Sequence, residues 1–165
     1  MARRTVLFTT VALIACGTSE IVAPIDDVGP LTFEVREVDY FGPPGAGPQI
    51  ALFLATEKQY PCMNYNLEST LGIQADNVHV DISGRVTIGE ICLTAIGPAQ
   101  FRAVLPIAEG TYVLEFTRAS LTDRYTLVVT DTAIGIVTRD AHFTRPTANS
   151  FPPHLVDPSP FRRTA

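Results

Sequence analysis

The chain carries a single lysine, Lys58, and a formal charge of −5 over 165 residues. One lysine excludes a lysine-rich stripe. The acidic balance argues against nucleic acid as a partner, because that partner demands basic patches that displace counterions. Long apolar runs are also missing from the start of the chain: the uncharged stretch there covers residues 5–15, well short of the roughly 20 residues that a membrane-spanning helix needs. Catalytic signatures are absent. There is no Gly-x-Ser-x-Gly elbow, no His-Glu-x-x-His pair, no phosphate loop and no dinucleotide fingerprint. No catalytic residue and no cofactor are therefore assigned, and the chain does not read as an enzyme. Neither Cys62 nor Cys92 has a second cysteine or a histidine close by, so the spacing of a metal site is missing too.

What is present begins with the first sixteen residues. Arg3 and Arg4 precede the apolar stretch, which ends at the small Ala15 before Cys16. A basic start, a short apolar core and a small residue at the cut mark a secretory signal over residues 1–15. The tetrad Leu13-Ile14-Ala15-Cys16 resembles the lipobox of a bacterial lipoprotein precursor. That resemblance implies cleavage before Cys16, acyl chains on its thiol and on the new N-terminus, and a protein held at a membrane by its lipid anchor. Gly17 stands where aspartate marks inner-membrane retention in Gram-negative lipoproteins. The resemblance thus implies the cell envelope, at the outer membrane, facing periplasm or exterior. Arg3-Arg4-Thr5-Val6-Leu7 also partly resembles a twin-arginine export signal, although the general secretory route better suits a domain that needs a disulfide to fold. Residues 16–30 then read as a tether. At about 3.3–3.6 Å per residue it lifts the domain by roughly 40–50 Å at most.

Removing the leader leaves 150 residues, enough for one domain with its own core. Arg3 and Arg4 go with it, which takes the side-chain charge from −5 to −7. With Cys16 acylated, Cys62 and Cys92 remain as an even pair in an oxidising compartment and are expected to form a disulfide.

Alternation of period two runs through residues 31–137. Leu31, Phe33 and Val35 alternate with Thr32, Glu34 and Arg36, and Val78, Val80 and Ile82 face away from His79 and Asp81; Tyr112, Leu114 and Phe116, then Tyr125, Leu127 and Val129, repeat the rhythm. Residues 49–56 are apolar on both faces, as a covered central strand requires. Ser83-Gly84 reads as a tight turn, Thr122-Asp123 as a break and Asp131-Thr132 as a further turn. No long window shows helical spacing. These features predict an all-β domain, an immunoglobulin-like antiparallel β-sandwich, with a small β-barrel as the alternative. Gly110-Thr111-Tyr112-Val113-Leu114 resembles the last strand pair of secreted bacterial sandwich modules. The tryptophan that packs on the paired cysteines of antibody-type domains is missing, since the chain contains none.

Residues 138–165 change character. Pro146, Pro152, Pro153, Pro158 and Pro160 accompany four arginines. Phe143, Phe151 and Leu155 are expected to dock the first half of this tail on the acidic domain, leaving its end loose.

Two loops are the candidate binding sites. Tyr40 and Phe41 lead into a glycine- and proline-rich stretch, and Tyr60, Met63 and Tyr65 surround Cys62. Rigid tyrosines beside a disulfide make good contact surfaces. The plainer readings are that Tyr40 and Phe41 cap the core and that the residues around Cys62 shield the disulfide. His79 and Asp81 share a strand face and offer two metal ligands or an oriented base; the plainer reading is an exposed polar face. Tyr60-Pro61-Cys62 and the stretch over residues 91–99 resemble small secreted bacterial proteins of unknown function, which implies no activity. The expectation is a lipid-anchored binding or adaptor module whose partner is an envelope protein or glycan. The alternatives are an inhibitor of a secreted protease and a metal-dependent hydrolase built on His79 and Asp81.

Overall fold

The computed structural model describes residues 27–38, 48–89 and 91–152. The leader, Cys16, Tyr40, Phe41 and Leu155 lie outside them. Ten strands follow in chain order: β1 (Leu31–Val38), β2 (Gln49–Tyr60), β3 (Tyr65–Gln74), β4 (Asn77–Ile88), β5 (Gly97–Leu105), β6 (Gly110–Arg118), β7 (Leu121–Val129), β8 (Ile134–Asp140), β9 (Thr144–Pro146) and β10 (Ser150–Phe151).

The strands join one mixed sheet in the order β10-β8-β7-β6-β4-β3-β5-β2-β1-β9, curled into a half-barrel. The expected all-β class is present. The arrangement differs from two stacked antiparallel sheets, because hydrogen bonding is continuous and the pairs β1/β9, β3/β5 and β4/β6 are parallel. The cause is the long β3–β4 hairpin, which belongs to both halves of the sheet. Its pairing passes from Leu67↔Val86 to Ser69↔Ile82, so one residue of β3 faces three of β4. A bulge of this kind bends and twists both strands. Ser83-Gly84, read from the sequence as a turn, forms this bulge inside a continuous β4. Gly84 takes φ +79° there, and the Ser83 hydroxyl donates to the Glu68 carbonyl at 3.1 Å. The hairpin turns instead at Ala75-Asp76, with Gln74 opposite Asn77.

Curling brings distant strands face to face. Leu31, Phe33 and Val35 point inward from β1, and Leu114, Phe116, Tyr125 and Leu127 point inward from β6 and β7. Phe33 meets Phe116 at 4.7 Å and Tyr125 at 4.8 Å between ring centroids, in the tilted and edge-on geometries that aromatic rings prefer. This cluster is the centre of the core.

The segment after β8 borders both edges of the sheet. Strand β9 runs parallel to β1 at one edge and β10 pairs with β8 at the other. Only residues 147–149 separate them, so one short stretch satisfies backbone groups that would otherwise be open to another chain. A buried carboxylate fixes where this stretch begins. Asp123 is 0% exposed and accepts hydrogen bonds from the backbone N–H groups of His142 (2.7 Å), Phe143 (3.0 Å) and Thr144 (2.6 Å) and from the Thr144 hydroxyl (2.6 Å). Burial pushes its pKa up. The hydrogen bonds from the Thr144 hydroxyl and the three backbone groups outweigh that and hold it below the ordinary carboxylate value. The Tyr125 hydroxyl donates to the Thr144 carbonyl at 2.7 Å. Arg118 stacks on Phe143 at 4.4 Å and donates to the Gly29 carbonyl at 2.6 Å. Thr122-Asp123 is thus no break: it lies inside β7, with Asp123 in the inward register of Tyr125, Leu127 and Val129.

Candidate interaction surface

The strand directions define two ends of the domain. One end gathers the start of β1, the end of β2, the starts of β3 and β5, and the β6–β7 turn. Here the chain makes two loops, residues 61–64 and 91–96, joined by the Cys62–Cys92 disulfide (Cα–Cα 5.3 Å). The loops are also stitched by hydrogen bonds. Asn64 works as a clamp, donating through Nδ2 to the Ile91 carbonyl (2.6 Å) and accepting through Oδ1 from the Leu93 N–H (3.1 Å). The Met63 N–H donates to the Leu93 carbonyl at 3.2 Å. Gly97 lets the loops approach: a Cβ there would lie 2.9 Å from the Met63 Cβ and 3.0 Å from its Cα.

This brace holds large apolar side chains outward. Met63 is 49% exposed, Ile91 72%, Leu93 51% and Ile96 77%. A single exposed apolar residue is ordinary, whereas four on neighbouring, braced turns make a candidate interaction surface. The tyrosines behave differently from the contact-surface expectation. Tyr60 and Tyr65 are buried, with ring centroids 4.9 Å apart, beside the buried Cys62. Their rings pack inward under the disulfide loop, so of the three residues singled out around Cys62 only Met63 is exposed. Compared with known proteins, the chain matches no family model, no curated protein and no solved structure. The surface therefore has to be read from its own chemistry. Ile91, Leu93 and Ile96 were not singled out as site residues by sequence reasoning. Their signal was there: a run of apolar residues with no strand alternation, next to a disulfide cysteine.

The opposite end is concave. A cleft of about 470 Å³ opens between the end of β1, the start of β2 and the β5–β6 and β7–β8 connections. Ile50, Pro106, Ile107 and Ile134 form apolar walls, and Glu37, Glu109 and Asp131 supply carboxylates.

His79 and Asp81 do come together on the outer face of β4, with His79 Nε2 3.1 Å from Asp81 Oδ1 and Nδ1 3.9 Å from Glu115 Oε2. Glu115 in turn holds Arg124 at 2.6 Å, and the hydrogen bond from Arg124 lowers its pKa. Among the described residues, no group of three or more His, Cys, Asp or Glu side chains is arranged to hold a metal ion. His79, Asp81 and Glu115 lie on a partly exposed polar face of β4 and β6.

Proposed function

We propose that this chain is a lipid-anchored, extracytoplasmic β-domain that serves as a binding or adaptor module in the cell envelope, at the outer membrane. The observation that carries the reading is the Cys62–Cys92 bond. Structural disulfides form and persist in exported proteins, which agrees with a leader that ends in Leu13-Ile14-Ala15-Cys16. The acidic cleft supports a binding role, because it is concave, has apolar walls and carries a few polar groups that converge on it. For the architecture we favour a sandwich-like stacking of the two halves of the curled sheet. Phe33 packing on Phe116 supports that stacking, and the mixed pairing weighs against an immunoglobulin topology.

Mass spectrometry of the native N-terminal peptide tests the anchor. Acyl chains on Cys16 are expected; a free Cys16 thiol or a retained leader overturns the reading. Crosslinking in intact envelopes tests the adaptor role, with a reproducible protein or glycan partner expected at the cleft. A second reading, inhibition of a secreted protease, is favoured by the protruding, disulfide-braced loop over residues 91–96. A panel of envelope proteases that all keep full activity removes it.

A further inference from the structure

The chain enters the domain at the disulfide end. Val28 is buried. Lys58 Nζ donates to the Asp27 carbonyl at 3.1 Å, the Glu57 N–H to the Pro30 carbonyl at 2.9 Å, and Arg118 to the Gly29 carbonyl. The first described residue, Asp27, is eleven positions from Cys16. Even a fully extended chain covers that interval in at most about 40 Å. An anchor at Cys16 therefore joins the domain at this end.

The same end carries the exposed apolar groups. Among the described residues the exposed large hydrophobics are Met63, Ile91, Leu93, Ile96, Leu121, Val113 and Val137. The first four stand on the disulfide loops, and Leu121 follows the β6–β7 turn, whose Arg118 is bonded to Gly29. Val113 and Val137 lie on strands away from the loops. A loose loop would fold such side chains back onto the body; the disulfide and the Asn64 clamp hold these outward. Charge does not bring this end to a surface, since Lys58 and Arg118 are engaged with main-chain carbonyls and the mature chain sums to −7.

We propose that the disulfide end docks on the bilayer that holds the Cys16 anchor, with Met63, Ile91, Leu93 and Ile96 entering the boundary between headgroups and acyl chains. Amphipathic surface elements seat their apolar side chains at this depth. The proposal rests on the anchored reading and adds an orientation to it: the loops face the lipid, and the acidic cleft faces away from it, open to a partner.

The absence of tryptophan supplies a clean test. Full-length Ile96→Trp and Val113→Trp proteins, processed in the host and purified, are reconstituted into phosphatidylethanolamine–phosphatidylcholine vesicles with brominated acyl chains, and intact mass is recorded on the same samples. The expected result is an acylated Cys16 and Ile96→Trp emission that is blue-shifted and quenched about twofold or more, the response of a ring at the acyl boundary. Val113→Trp emission stays unquenched. An acylated Cys16 with unquenched Ile96→Trp emission overturns the docking and leaves the anchored reading standing. Equal quenching of both variants overturns the orientation. A free Cys16 thiol removes the anchored reading and this proposal with it. Blue-shifted Ile96→Trp emission in native envelopes, without quenching in vesicles, assigns the surface to a protein partner and overturns lipid docking. Denaturation midpoints matching the parent protein show that both variants are folded.

Discussion

Two regions at the same end of the domain hold the chain together in opposite ways. Around Asp123 a charge is turned inward, and four hydrogen bonds from residues 142–144 hold the closing segment against β7. Around Cys62 and Cys92 a covalent bond and the Asn64 clamp hold two loops together while apolar side chains turn outward. Each region inverts the usual placement of its residue type, and each inversion has a different beneficiary. The buried carboxylate serves the fold, because it fixes the start of the segment that borders both edges of the sheet. The exposed apolar loops do not serve the fold, since side chains left in water contribute nothing to the core. Perturbing the two regions should therefore separate stability from interaction.

The largest effect belongs to the carboxylate. Asp123→Ala leaves three backbone N–H groups and a hydroxyl without their buried acceptor, and is expected to lower unfolding free energy by roughly 3–5 kcal/mol in chemical denaturation. A loss below about 1 kcal/mol would mean that water replaces the carboxylate and that the inward charge is dispensable. The sign of its pH dependence follows from the lowered pKa. The folded state binds the proton less readily than the unfolded one. Asp123 thus contributes its full stabilisation above the unfolded value of about 3.9, and this is lost as pH falls through the depressed folded value. Asp123→Asn should flatten that acid limb in urea titrations from pH 5 to pH 2, while the disulfide, which does not titrate, contributes no slope.

Breaking the disulfide comes next. In the loop-entropy model a closed loop of about 30 residues contributes roughly 3.5 kcal/mol, so Cys62→Ala with Cys92→Ala should cost about that in denaturation midpoint and slope. It should also loosen the loops. Faster amide exchange is expected at Leu93, whose N–H the Asn64 side chain holds, with a smaller increase at Thr144. Equal acceleration at both sites would show that the two regions are one cooperative unit. The smallest effect on stability is expected at the apolar tips. Ile91→Ser and Ile96→Ser should change unfolding free energy by no more than about 0.5 kcal/mol, because both side chains already lie mostly in water. A larger loss would place these residues in the core after all and erase the contrast.

Much of the fold was legible in the sequence for simple reasons. The period-two pattern of Leu31, Phe33 and Val35 and of Tyr125, Leu127 and Val129 is a local property of a strand with one face in a core, and those residues are inside. The doubly apolar residues 49–56 form part of β2, which lies between β1 and β5. The special backbone at Gly84 was also visible, but a glycine of positive φ fits a turn or a bulge equally well. Only the partner strand decides between them. Asp123 was misread for a similar reason. Aspartate is common in turns, and its place in the inward register of β7 is visible only by counting back in twos from Val129. At the candidate surface the sequence pointed to the neighbourhood of Cys62 and to Met63. It could not tell that Tyr60 and Tyr65 face inward, because ring orientation beside a disulfide depends on packing across β2, β3 and β5.

The sequence by itself determined the strand periodicity, the acidic charge and the pairing of Cys62 with Cys92. These are properties of neighbours along the chain or of simple counts. The tertiary structure decided that the sheet is single, mixed and curled, that residues 144–151 border both of its edges, and that Asp123 lies inside. It also decided that Met63, Ile91, Leu93 and Ile96 share one end with the incoming chain. Each of these depends on contacts between residues far apart in sequence, and no local pattern encodes which strand, loop or carboxylate will meet which.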